Sequence, residues 1–341
     1  MDIMKNALNQ LILGRDLTRS QAKEVMYAVM DGEATPAQIG AMLTALRLKG
    51  ESLDEVTGFA EVMRARANRV TTEQDQLLDT CGTGGDGGNT FNVSTAAAIV
   101  AAAAGVRVAK HGNRAMSSKS GSADVLEALG VNITLTADQA KACLEQVGIC
   151  FMFAQSFHQS MKHAAAPRRE LGFRTIFNLL GPLTNPAGAD RQLMGVFDRN
   201  RTQLVAESLR ELGLKRALVV ASEDGLDEIS VCAPTYVTEL NNGQITSYVI
   251  EPKQIGLSQH QLSELAGGDA AGNAEIIKAV FAGEKGARRD IILANAGAAL
   301  YLSEQANSIA EGVKVAAKAI DSGLALQKLH ALVTCTGELT K

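Results

Sequence analysis

The sequence predicts an α/β protein in which a small all-helical N-terminal domain precedes a larger α/β domain with a mostly parallel central sheet flanked by helices. Residues 1–70 carry apolar residues at three- and four-residue intervals, whereas the chain from residue 71 onward alternates short apolar runs, glycine turns and amphipathic segments. A length of 341 residues is enough for two domains. We therefore place the helical domain at residues 1–70, with a helical contribution from about 168–185, and the α/β domain at residues 71–341.

Capping boxes mark the starts of helices in the first 70 residues. In each box a hydroxyl can accept a hydrogen bond from a first-turn amide, and the side chain three residues later can reach back. The pairs are Thr18 with Gln21, Thr35 with Gln38, and Ser52 with Glu55. Pro36 directly follows its cap, where a helix tolerates proline because the missing N–H would be unpaired anyway. This region is predicted to contain helices only.

After a polar connection at residues 71–76, the order of the elements predicts βαβ units and hence a largely parallel sheet. Short strands are predicted at 77–78, 106–108, 131–133, 193–197 and 217–220, with an amphipathic helix at 202–212. Residues 235–263 are predicted to form strands and connections. The tail from about 273 to 337 is predicted to be helical, with one candidate strand at 290–293.

Composition limits the classes of partner. The formal net charge is −4, the isoelectric point is near 5.8 and Trp is absent, so nucleic acid is disfavoured. Five cysteines without a CxxC pair argue against a disulfide framework or a zinc site and for reduced thiols. The N-terminus lacks a signal-peptide pattern, and the apolar run at 96–104 is too short to span a bilayer. We expect a cytoplasmic protein with neither a membrane nor a nucleic-acid partner.

The segment 79–130 contains several anion-binding patterns in succession. A glycine-rich turn at residues 82–88 precedes a helix, and glycine allows successive backbone N–H groups to approach an anion closely. The turn matches neither the GxGxxG fingerprint nor a Walker A loop. Asn92, Ser94 and Thr95 then stand at the start of an alanine-rich helix. A tight connection and ordinary helix capping are the alternatives, but the succession of features favours ligand binding.

A basic loop and a serine run follow in the same segment. Residues 110–114 (KHGNR) come after the predicted strand 106–108, and in a doubly wound sheet ligands bind beyond the carboxyl ends of strands. Lysine and arginine supply charge for phosphate oxygens, and Ser117, Ser118 and Ser122 add donors. A solvated basic turn is the alternative for the loop. His111 is either a general base or a histidine fixed by hydrogen bonds.

Together, GTGGD, NxST, KHGNR and SSKSGSADVLEALG resemble the anthranilate phosphoribosyltransferase family of tryptophan biosynthesis. RRELGFRTIFNLLGPLTNPAGA and ASEDGLDE are similar to that family as well, so the resemblance covers nearly the whole chain. It implies a small helical domain joined to an α/β domain, acting as a homodimer. The implied reaction joins anthranilate to 5-phosphoribosyl 1-diphosphate (PRPP), releases diphosphate, and uses Mg²⁺ with two ions per subunit. It is the second step from chorismate.

The resemblance also implies roles for individual residues. PRPP would be held by Gly82, Gly85, Asp86, Thr90, Asn92, Val93, Ser94, Thr95, Lys110, His111, Gly112, Asn113, Arg114, Ala115, Met116, Ser117, Ser118 and Ser122. Anthranilate would contact Gly82, Asn113 and Arg168, with His158 at its entrance, and Mg²⁺ would be held by Ser94, Asp227 and Glu228. The sequence departs from the family pattern at Gln159 and Ser160, where proline and alanine are common.

The chemistry of this reaction agrees with the residue types. Loss of diphosphate from the sugar C1 builds negative charge on the leaving group, so cations and amides are needed around it. Lys110 and Arg114 would supply this stabilisation, and no strong acid or base is expected because an aromatic amine is mostly neutral near pH 7. Adjacent carboxylates such as Asp227 and Glu228 suit Mg²⁺. Arg168 offers a planar fork to a carboxylate, with a surface ion pair as its alternative role.

Two other functions remain as alternatives. One is a nucleoside phosphorylase of the same fold, against which the KHGNR motif and the Asp227–Glu228 pair speak. The other is a catalytically silent relative that binds nucleic acid, against which the acidic isoelectric point and the intact anion-binding patterns speak.

Overall fold

The computed structural model describes residues 2–84, 90–115 and 119–340. Its N-terminal helices are α1 (Ile3–Leu11), α2 (Arg19–Met30), α3 (Pro36–Lys49) and α4 (Leu53–Arg66). All three predicted capping boxes are confirmed, since each hydroxyl and each reciprocal side chain makes its bond at the start of α2, α3 or α4. Pro36 is the first residue of α3, as predicted.

Over the described residues, the predicted sheet is confirmed as a seven-stranded, mostly parallel sheet. Its strands are β1 (Leu78–Gly82), β2 (Val108–Gly112), β3 (Ile149–Phe153), β4 (Arg191–Gly195), β5 (Arg216–Ser222), β6 (Thr235–Asn241) and β7 (Gln244–Ile250). The order is β3-β2-β1-β4-β5-β6-β7; the first five strands pair in parallel, and β6 and β7 add an antiparallel edge.

Helices cover both faces of the sheet in the described part of the chain. They are α5 (Val93–Ala103), α6 (Ser122–Ala128), α7 (Ala137–Val147), α8 (Ala154–Phe157), α9 (Lys162–Leu171), α10 (Phe177–Leu180), α11 (Thr202–Glu211), α12 (Ala270–Phe281), α13 (Ala287–Leu302), α14 (Ile309–Asp321) and α15 (Leu324–Glu338). The amphipathic helix predicted at 202–212 corresponds to α11. The largely helical tail is confirmed as α12 to α15.

Several predicted strands are wrong in position or type. Residues 290–293 lie inside α13, which is buried nearly all round, and a short apolar run cannot by itself distinguish a buried helix from a strand. Residues 131–133 form a connection between α6 and α7, in which the Asn132 amide donates to Thr336 Oγ1 at 3.1 Å. The strand expected at 106–108 instead runs from Val108 to Gly112, and β3 was not predicted at all.

Two apolar cores meet at the sheet, and alternation along the strands divides them. In β4, Leu193 packs into a core with α5, α13 and α15, whereas Met194 packs into the core that contains α1 to α4. In β5, Leu218 and Val219 divide in the same way. The N-terminal helices therefore share a continuous core with one face of the sheet, which fixes them beside its strands.

Candidate active site at the carboxyl edge of the sheet

The strand order indicates where a ligand binds. Crossovers run outward from β1 through β2 to β3 on one side, and through β4 to β5 on the other, so the order reverses between β1 and β4. Open α/β sheets bind ligands in the crevice beyond the carboxyl ends of strands at such a reversal. β1 ends at Gly82 and β4 at Gly195, and these two glycines are register partners. The crevice therefore begins at this pair, which we call the glycine platform.

Asp227 rests on the glycine platform. A Cβ atom added to Gly82 would lie 2.3 Å from Asp227 Oδ2, and one added to Gly195 would lie 1.6 Å from the Asp227 carbonyl oxygen. A side chain at Gly195 would collide with backbone, whereas one at Gly82 would displace the Asp227 carboxylate. Asp227 Oδ2 also accepts a hydrogen bond from the Gly84 amide at 2.7 Å. The fold thus brings a carboxylate against the glycine turn that lies 143 residues earlier.

The chemistry of Asp227, Glu228 and Ser94 fits Mg²⁺, which prefers oxygen ligands. Asp227 is 7% exposed, and Glu228 is half-buried next to it. The hydroxyl of Ser94 lies 3.5 Å from Lys110 Nζ. The negative charge of Glu228 acts to raise the pKa of Lys110. Over the described ranges, no group of three or more His, Cys, Asp or Glu side chains is placed to hold a metal. Two carboxylates with a hydroxyl suit an ion that keeps much of its water and takes ligands from a bound phosphate.

Lys110 provides a buried positive charge close to the crevice. The sequence pattern predicts a loop at this residue, but it lies within β2 and is 3% exposed. Its Nζ donates to Thr80 O at 2.5 Å. Burial lowers the pKa of Lys110, and the carboxylate of Asp79 acts in the opposite direction. The ammonium is therefore fixed beneath the first turn of α5, close to where an anion would lie.

Asp79, a buried residue of β1, connects neighbouring segments of the sheet through hydrogen bonds. It accepts the His111 amide at 3.1 Å and the Asn185 side-chain amide at 2.8 Å, and Asn185 also donates to Ala109 O at 2.8 Å. Burial raises the pKa of Asp79 to about 6, against the opposing effects of Lys110 and of these hydrogen bonds. The network joins β1, β2 and the segment before β4.

Arg114 lies in the segment between β2 and α6, which we call the β2 loop, and forms ion pairs with carboxylates of α6. It is exposed, forms ion pairs with Asp124 at 2.9 Å and with Glu127 at 2.5 Å, and lies 5.5 Å from the centre of the Phe153 ring. The hydrogen bonds to Glu127 and Asp124 raise the pKa of Arg114. A phosphate that binds Arg114 would therefore compete with two carboxylates, which the sequence pattern did not indicate.

The β2 loop is closed by contacts between its two ends. Asp124 Oδ2 accepts the amides of Ala115 at 2.9 Å and Gly121 at 2.8 Å, and Ser122 Oγ donates to Asn113 O at 3.3 Å. A Cβ atom on Gly112 would lie 2.2 Å from Ser122 Oγ and 2.9 Å from the Phe151 ring, so a side chain there would displace both groups. Asn113 itself is exposed at the mouth of the loop.

Asn92 has a different role from the capping that its position suggests. It is the N-cap of α5, but its side chain makes no capping bond. Its Oδ1 instead accepts from Ser120 Oγ at 3.2 Å and from Asn273 Nδ2 at 3.0 Å, and its Nδ2 donates to Ser120 O at 3.1 Å. Thr90 pairs with Ala266 nearby. The contacts of Asn92 join the N-terminus of α5 to Ser120, which precedes α6, and to Asn273 on α12.

Ser94 and Thr95, the second and third residues of α5, differ in solvent exposure. Val93, the first residue, is 1% exposed and packs into the core, while Ser94 is half-buried at the crevice. Thr95 is 1% exposed, and its Oγ1 has no hydrogen-bond partner among the residues that the structure describes.

Two buried histidines pack against each other near the carboxyl end of β2. The ring centres of His111 and His158 are 5.0 Å apart, and each residue is 6% exposed. His158 Nε2 lies 3.0 Å from Thr184 O, whereas His111 Nε2 has no partner within the described ranges. Burial lowers the pKa of His111 to about 3 and that of His158 to about 4, so both rings are neutral near pH 7. His111 is therefore a weak base.

Arg168 carries a half-buried charge, and among the described residues no carboxylate pairs with it. It lies on α9, and its guanidinium stacks 5.0 Å from the centre of the Phe177 ring. Within the described part of the chain it makes no ion pair or hydrogen bond, so the surface ion pair considered above is absent there. Burial lowers the pKa of Arg168. No bond connects it to Asn113 in the same residues.

Some predicted site residues lie outside the described ranges: Gly85, Asp86, Met116, Ser117 and Ser118. Gln159 and Ser160, which depart from the family pattern, belong to a short 3-10 helix (Gln159–Met161) directly after His158.

Sequence reasoning missed several residues that build the site. Arg174 donates to Thr83 O at 3.1 Å and lies 4.3 Å from the centre of the Phe197 ring, which places it beside the glycine turn. Asn185, Asn273 and Gly195 were also unassigned. A polar residue inside an apolar helix and a glycine at a strand end were visible signals, but their partners are distant in the chain.

We expect the protein to lose stability as the pH falls from 7 to 5. The pKa of an unfolded histidine is 6.5, while the pKa of His111 is about 3 and that of His158 about 4 in the folded state. Below pH 6.5 the unfolded chain therefore binds protons that the folded chain does not, and the free energy of unfolding falls. Asp79 opposes this, because its raised pKa of about 6 lets the folded state bind a proton first. Two histidines outweigh one aspartate.

Urea unfolding of His158→Gln at pH 7 and pH 5 tests the contribution of one ring. The variant should lose less stability than wild type over this interval, by on the order of 2 kcal/mol. Glutamine does not titrate, and its amide can still donate to Thr184 O. His330→Gln, at an exposed position, controls for removal of a histidine as such. An unchanged pH dependence in His158→Gln would contradict the assignment.

The fold and the site together define a glycosyl transferase of the class in which a helical bundle precedes an α/β domain. The family model of the glycosyl transferase family helical bundle domain matches residues 5–67. The model of the family's a/b domain matches residues 74–326, which is more than half of the chain.

Similar proteins narrow the class. An anthranilate phosphoribosyltransferase from Brevibacillus brevis is 59% identical over 324 residues, 95% of each chain. The crystal structure of anthranilate phosphoribosyltransferase from Thermus thermophilus matches with a TM-score of 0.92 at 43% identity, over 97% of this chain and 99% of that one. The enzyme from Saccharomyces cerevisiae in complex with PRPP and Mg matches with a TM-score of 0.90 at 26% identity, over 98% of both chains. The chain described here belongs to the anthranilate phosphoribosyltransferase family.

These relatives favour neither alternative function, the nucleoside phosphorylase or the silent nucleic-acid-binding protein. Among the described helices, none is both long and apolar enough to cross a membrane.

Proposed function

We propose that this chain transfers the phosphoribosyl group of PRPP to the amine of anthranilate, giving N-(5-phosphoribosyl)anthranilate and diphosphate. This is the second step of tryptophan biosynthesis from chorismate. The observation that carries the proposal is the carboxylate of Asp227 against the glycine turn, at the strand-order reversal of a chain that matches anthranilate phosphoribosyltransferases over nearly its full length.

PRPP would lie along the carboxyl ends of β1 and β2. The N-terminus of α5 would favour an anion there, because the first turn of a helix carries a partial positive charge, and a glycine-rich turn of the kind that precedes it in the sequence is a common anion-binding pattern. Lys110 adds a fixed positive charge from beneath Ser94. The segment between β2 and α6, whose ends are joined through Asp124, would supply further donors from the residues that the sequence assigns to PRPP. We retain for PRPP all the residues that the sequence analysis assigned to it.

We assign Mg²⁺ to Ser94, Asp227 and Glu228, with two ions per subunit. The complex of the yeast relative with PRPP and Mg supports the use of magnesium. A bound Mg²⁺ neutralises charge on a leaving diphosphate. In this chain, Asp227 is held by the Gly84 amide and by the glycine platform, so one ligand is oriented before metal arrives.

Anthranilate would bind between the histidine pair and Arg168, near Gly82 and Asn113. Arg168 offers a desolvated guanidinium with no carboxylate of its own in the described residues, which suits the carboxylate of the substrate. The neutral rings of His111 and His158 provide an uncharged wall for an aromatic ring. The amine nitrogen attacks the sugar C1 while the bond from C1 to the diphosphate oxygen breaks, so diphosphate leaves as the C–N bond forms. The amine proton is then lost without a strong base.

Arg168→Ala should raise KM for anthranilate roughly 10- to 100-fold, because a charged hydrogen-bonding partner of the substrate carboxylate is lost. KM for PRPP should change much less. Arg168→Lys should lie between, since a lysine retains the charge but not the planar fork. The exposed neighbour Arg169, changed to alanine, provides the matched control. Equal effects of Arg168→Ala on both substrates would contradict its role.

The decisive experiment mixes purified protein with anthranilate, PRPP and Mg²⁺ and follows anthranilate fluorescence. We expect a loss of signal that requires both PRPP and Mg²⁺. Absence of such a loss over a range of pH and Mg²⁺ concentration would refute the proposed function.

We also propose that the chain acts as a homodimer through its N-terminal helices. Ile12, Leu13 and Leu48 are 69%, 66% and 83% exposed, at the ends of the mutually packed helices α1 and α3. Large apolar side chains exposed on the same helical domain would suit a subunit interface if they are covered together. Light scattering on the wild type and on Leu13→Glu with Leu48→Glu tests this: the wild type should be dimeric and the variant monomeric.

We propose that the protein is cytoplasmic. All five cysteines are free thiols, of which Cys143, Cys150 and Cys335 are buried, and this supports a reducing compartment.

A further inference from the structure

We infer that Asn295, a buried residue of α13, is a positioning residue that holds the Asp227–Glu228 pair in the geometry that receives Mg²⁺. The inference rests on the proposed function and deepens it. Asn295 is 0% exposed and belongs to none of the motifs of the sequence analysis. It is connected instead to Ile229, the residue that directly follows Glu228.

Asn295 makes three hydrogen bonds, two of them to the backbone of Ile229. Its Oδ1 accepts the Ile229 amide at 3.0 Å, and its Nδ2 donates to Ile229 O at 3.0 Å. The second N–H of the same amide donates to Ile291 O, one turn earlier in α13, at 2.9 Å. The side chain therefore pairs with Ile229 as a neighbouring strand would, and the bond to Ile291 fixes its own orientation.

The loop between β5 and β6 is anchored at several points, one of them the Gly84 amide on Asp227. Residues 223–234 carry the two carboxylates but form no regular secondary structure. Asp224 ties the loop to itself, since it accepts the Leu226 amide at 3.3 Å and the Ser230 hydroxyl at 2.6 Å. Asn295 ties it to a helix. Because Ile229 is 0% exposed, no water can replace this partner.

α13 is a rigid support for both halves of the metal site. It packs against α5, whose first turn carries Ser94, and against α14. The contact with α14 is close: a Cβ on Gly297 would lie 2.7 Å from the Val313 amide nitrogen, and one on Gly312 would lie 2.2 Å from Gly297 O. One helix thus fixes the distance between Ser94 on α5 and the carboxylates held through Asn295.

Replacing Asn295 should weaken metal binding rather than anthranilate binding. Residues that orient metal ligands typically contribute 10- to 100-fold in metal affinity when changed. Asn295→Ala leaves the N–H and C=O of Ile229 unpaired in the core. Asn295→Asp keeps the size and the bond from the Ile229 amide but loses both donated bonds. Arg168, on α9 and outside this network, should be unaffected.

The test measures Mn²⁺ binding in the presence of PRPP by electron paramagnetic resonance, with Mn²⁺ replacing Mg²⁺ as the probe. We expect the dissociation constant of Mn²⁺ to rise roughly 10- to 100-fold in Asn295→Asp and Asn295→Ala. The Mg²⁺ concentration for half-maximal activity should rise in parallel, while KM for anthranilate stays close to wild type. Folded Asn295 variants with unchanged Mn²⁺ affinity, or with equal effects on metal and anthranilate, would overturn the inference.

Thr336→Val is the matched control for loss of a buried polar contact. Thr336 lies on α15, is 0% exposed and donates to Leu332 O at 2.9 Å. It makes no hydrogen bond to Asn295 or to the loop between β5 and β6 among the described residues. This variant should lower thermal stability without changing Mn²⁺ affinity. A shift as large as that of the Asn295 variants would show a general effect of destabilisation and refute the inference.

Hydrogen exchange on the wild type gives a test that needs no variant. The Ile229 amide should exchange slowly in the free protein and change little when Mg²⁺ and PRPP are added, because Asn295 already holds it. Fast exchange that slows only with ligands would overturn the inference. A wild-type protein without phosphoribosyltransferase activity would instead refute the proposed function, so the two failures are distinguishable.

Discussion

Neutralising both carboxylates of the metal site, Asp227→Asn with Glu228→Gln, should lower kcat roughly a thousandfold. A metal ion contributes several kcal/mol of transition-state charge stabilisation, and each 1.4 kcal/mol is about a factor of ten. The fold should survive, because the amide oxygen introduced at position 227 could still accept the hydrogen bond that Gly84 donates to Asp227 Oδ2 at 2.7 Å in wild type. Anthranilate binding should change little.

Titration of kcat against Mg²⁺ is the measurement that separates metal loss from general damage. The double variant should need much more Mg²⁺ and should not regain wild-type turnover at saturation. Glu223→Gln, an exposed change in the same loop, is the control and should behave as wild type. If the double variant kept the wild-type Mg²⁺ profile, Asp227 and Glu228 would not be metal ligands.

The parts of the fold that sequence patterns predicted depend on residues close together in the chain. The capping boxes of α2, α3 and α4 involve partners three residues apart, and each was found where predicted. The βαβ rhythm likewise specified a mostly parallel sheet. The strand predicted at 290–293 failed because α13 is apolar on nearly every side, which removes the helical periodicity.

The parts of the site that sequence patterns missed depend on partners far apart in the chain. Asn273 contacts Asn92 across 181 residues, and Asn295 contacts Ile229 across 66. No local pattern distinguishes these asparagines from any polar residue in a helix. Lys110 was assigned from its motif, but its burial and its bond to Thr80 O follow from the position of β2 next to β1.

Gly195→Ala should nearly abolish activity, although alanine is chemically the smallest possible change. The added Cβ would lie 1.6 Å from the carbonyl oxygen of Asp227, 2.4 Å from its carbonyl carbon and 3.1 Å from its Cα. All three atoms belong to the backbone, so no side-chain rotation relieves the clash. The loop between β5 and β6 must then move away from the sheet, which would displace Asp227 and Glu228 from the proposed metal site. Overpacking of this kind costs about 1–3 kcal/mol of stability.

Two other glycines allow this effect to be dissected. Gly82→Ala meets the Asp227 carboxylate at 2.3 Å, the end of a rotatable side chain, so it should reduce Mg²⁺ affinity while preserving stability better than Gly195→Ala. Gly40→Ala, within α3 and with no atom within 4 Å of the new Cβ, should stabilise the protein by about 0.5–1 kcal/mol and leave kcat unchanged. Thermal unfolding and Mg²⁺ titration of all three variants provide the comparison. If Gly195→Ala retained wild-type kcat and Mg²⁺ dependence, contact with the glycine platform would not set the position of Asp227.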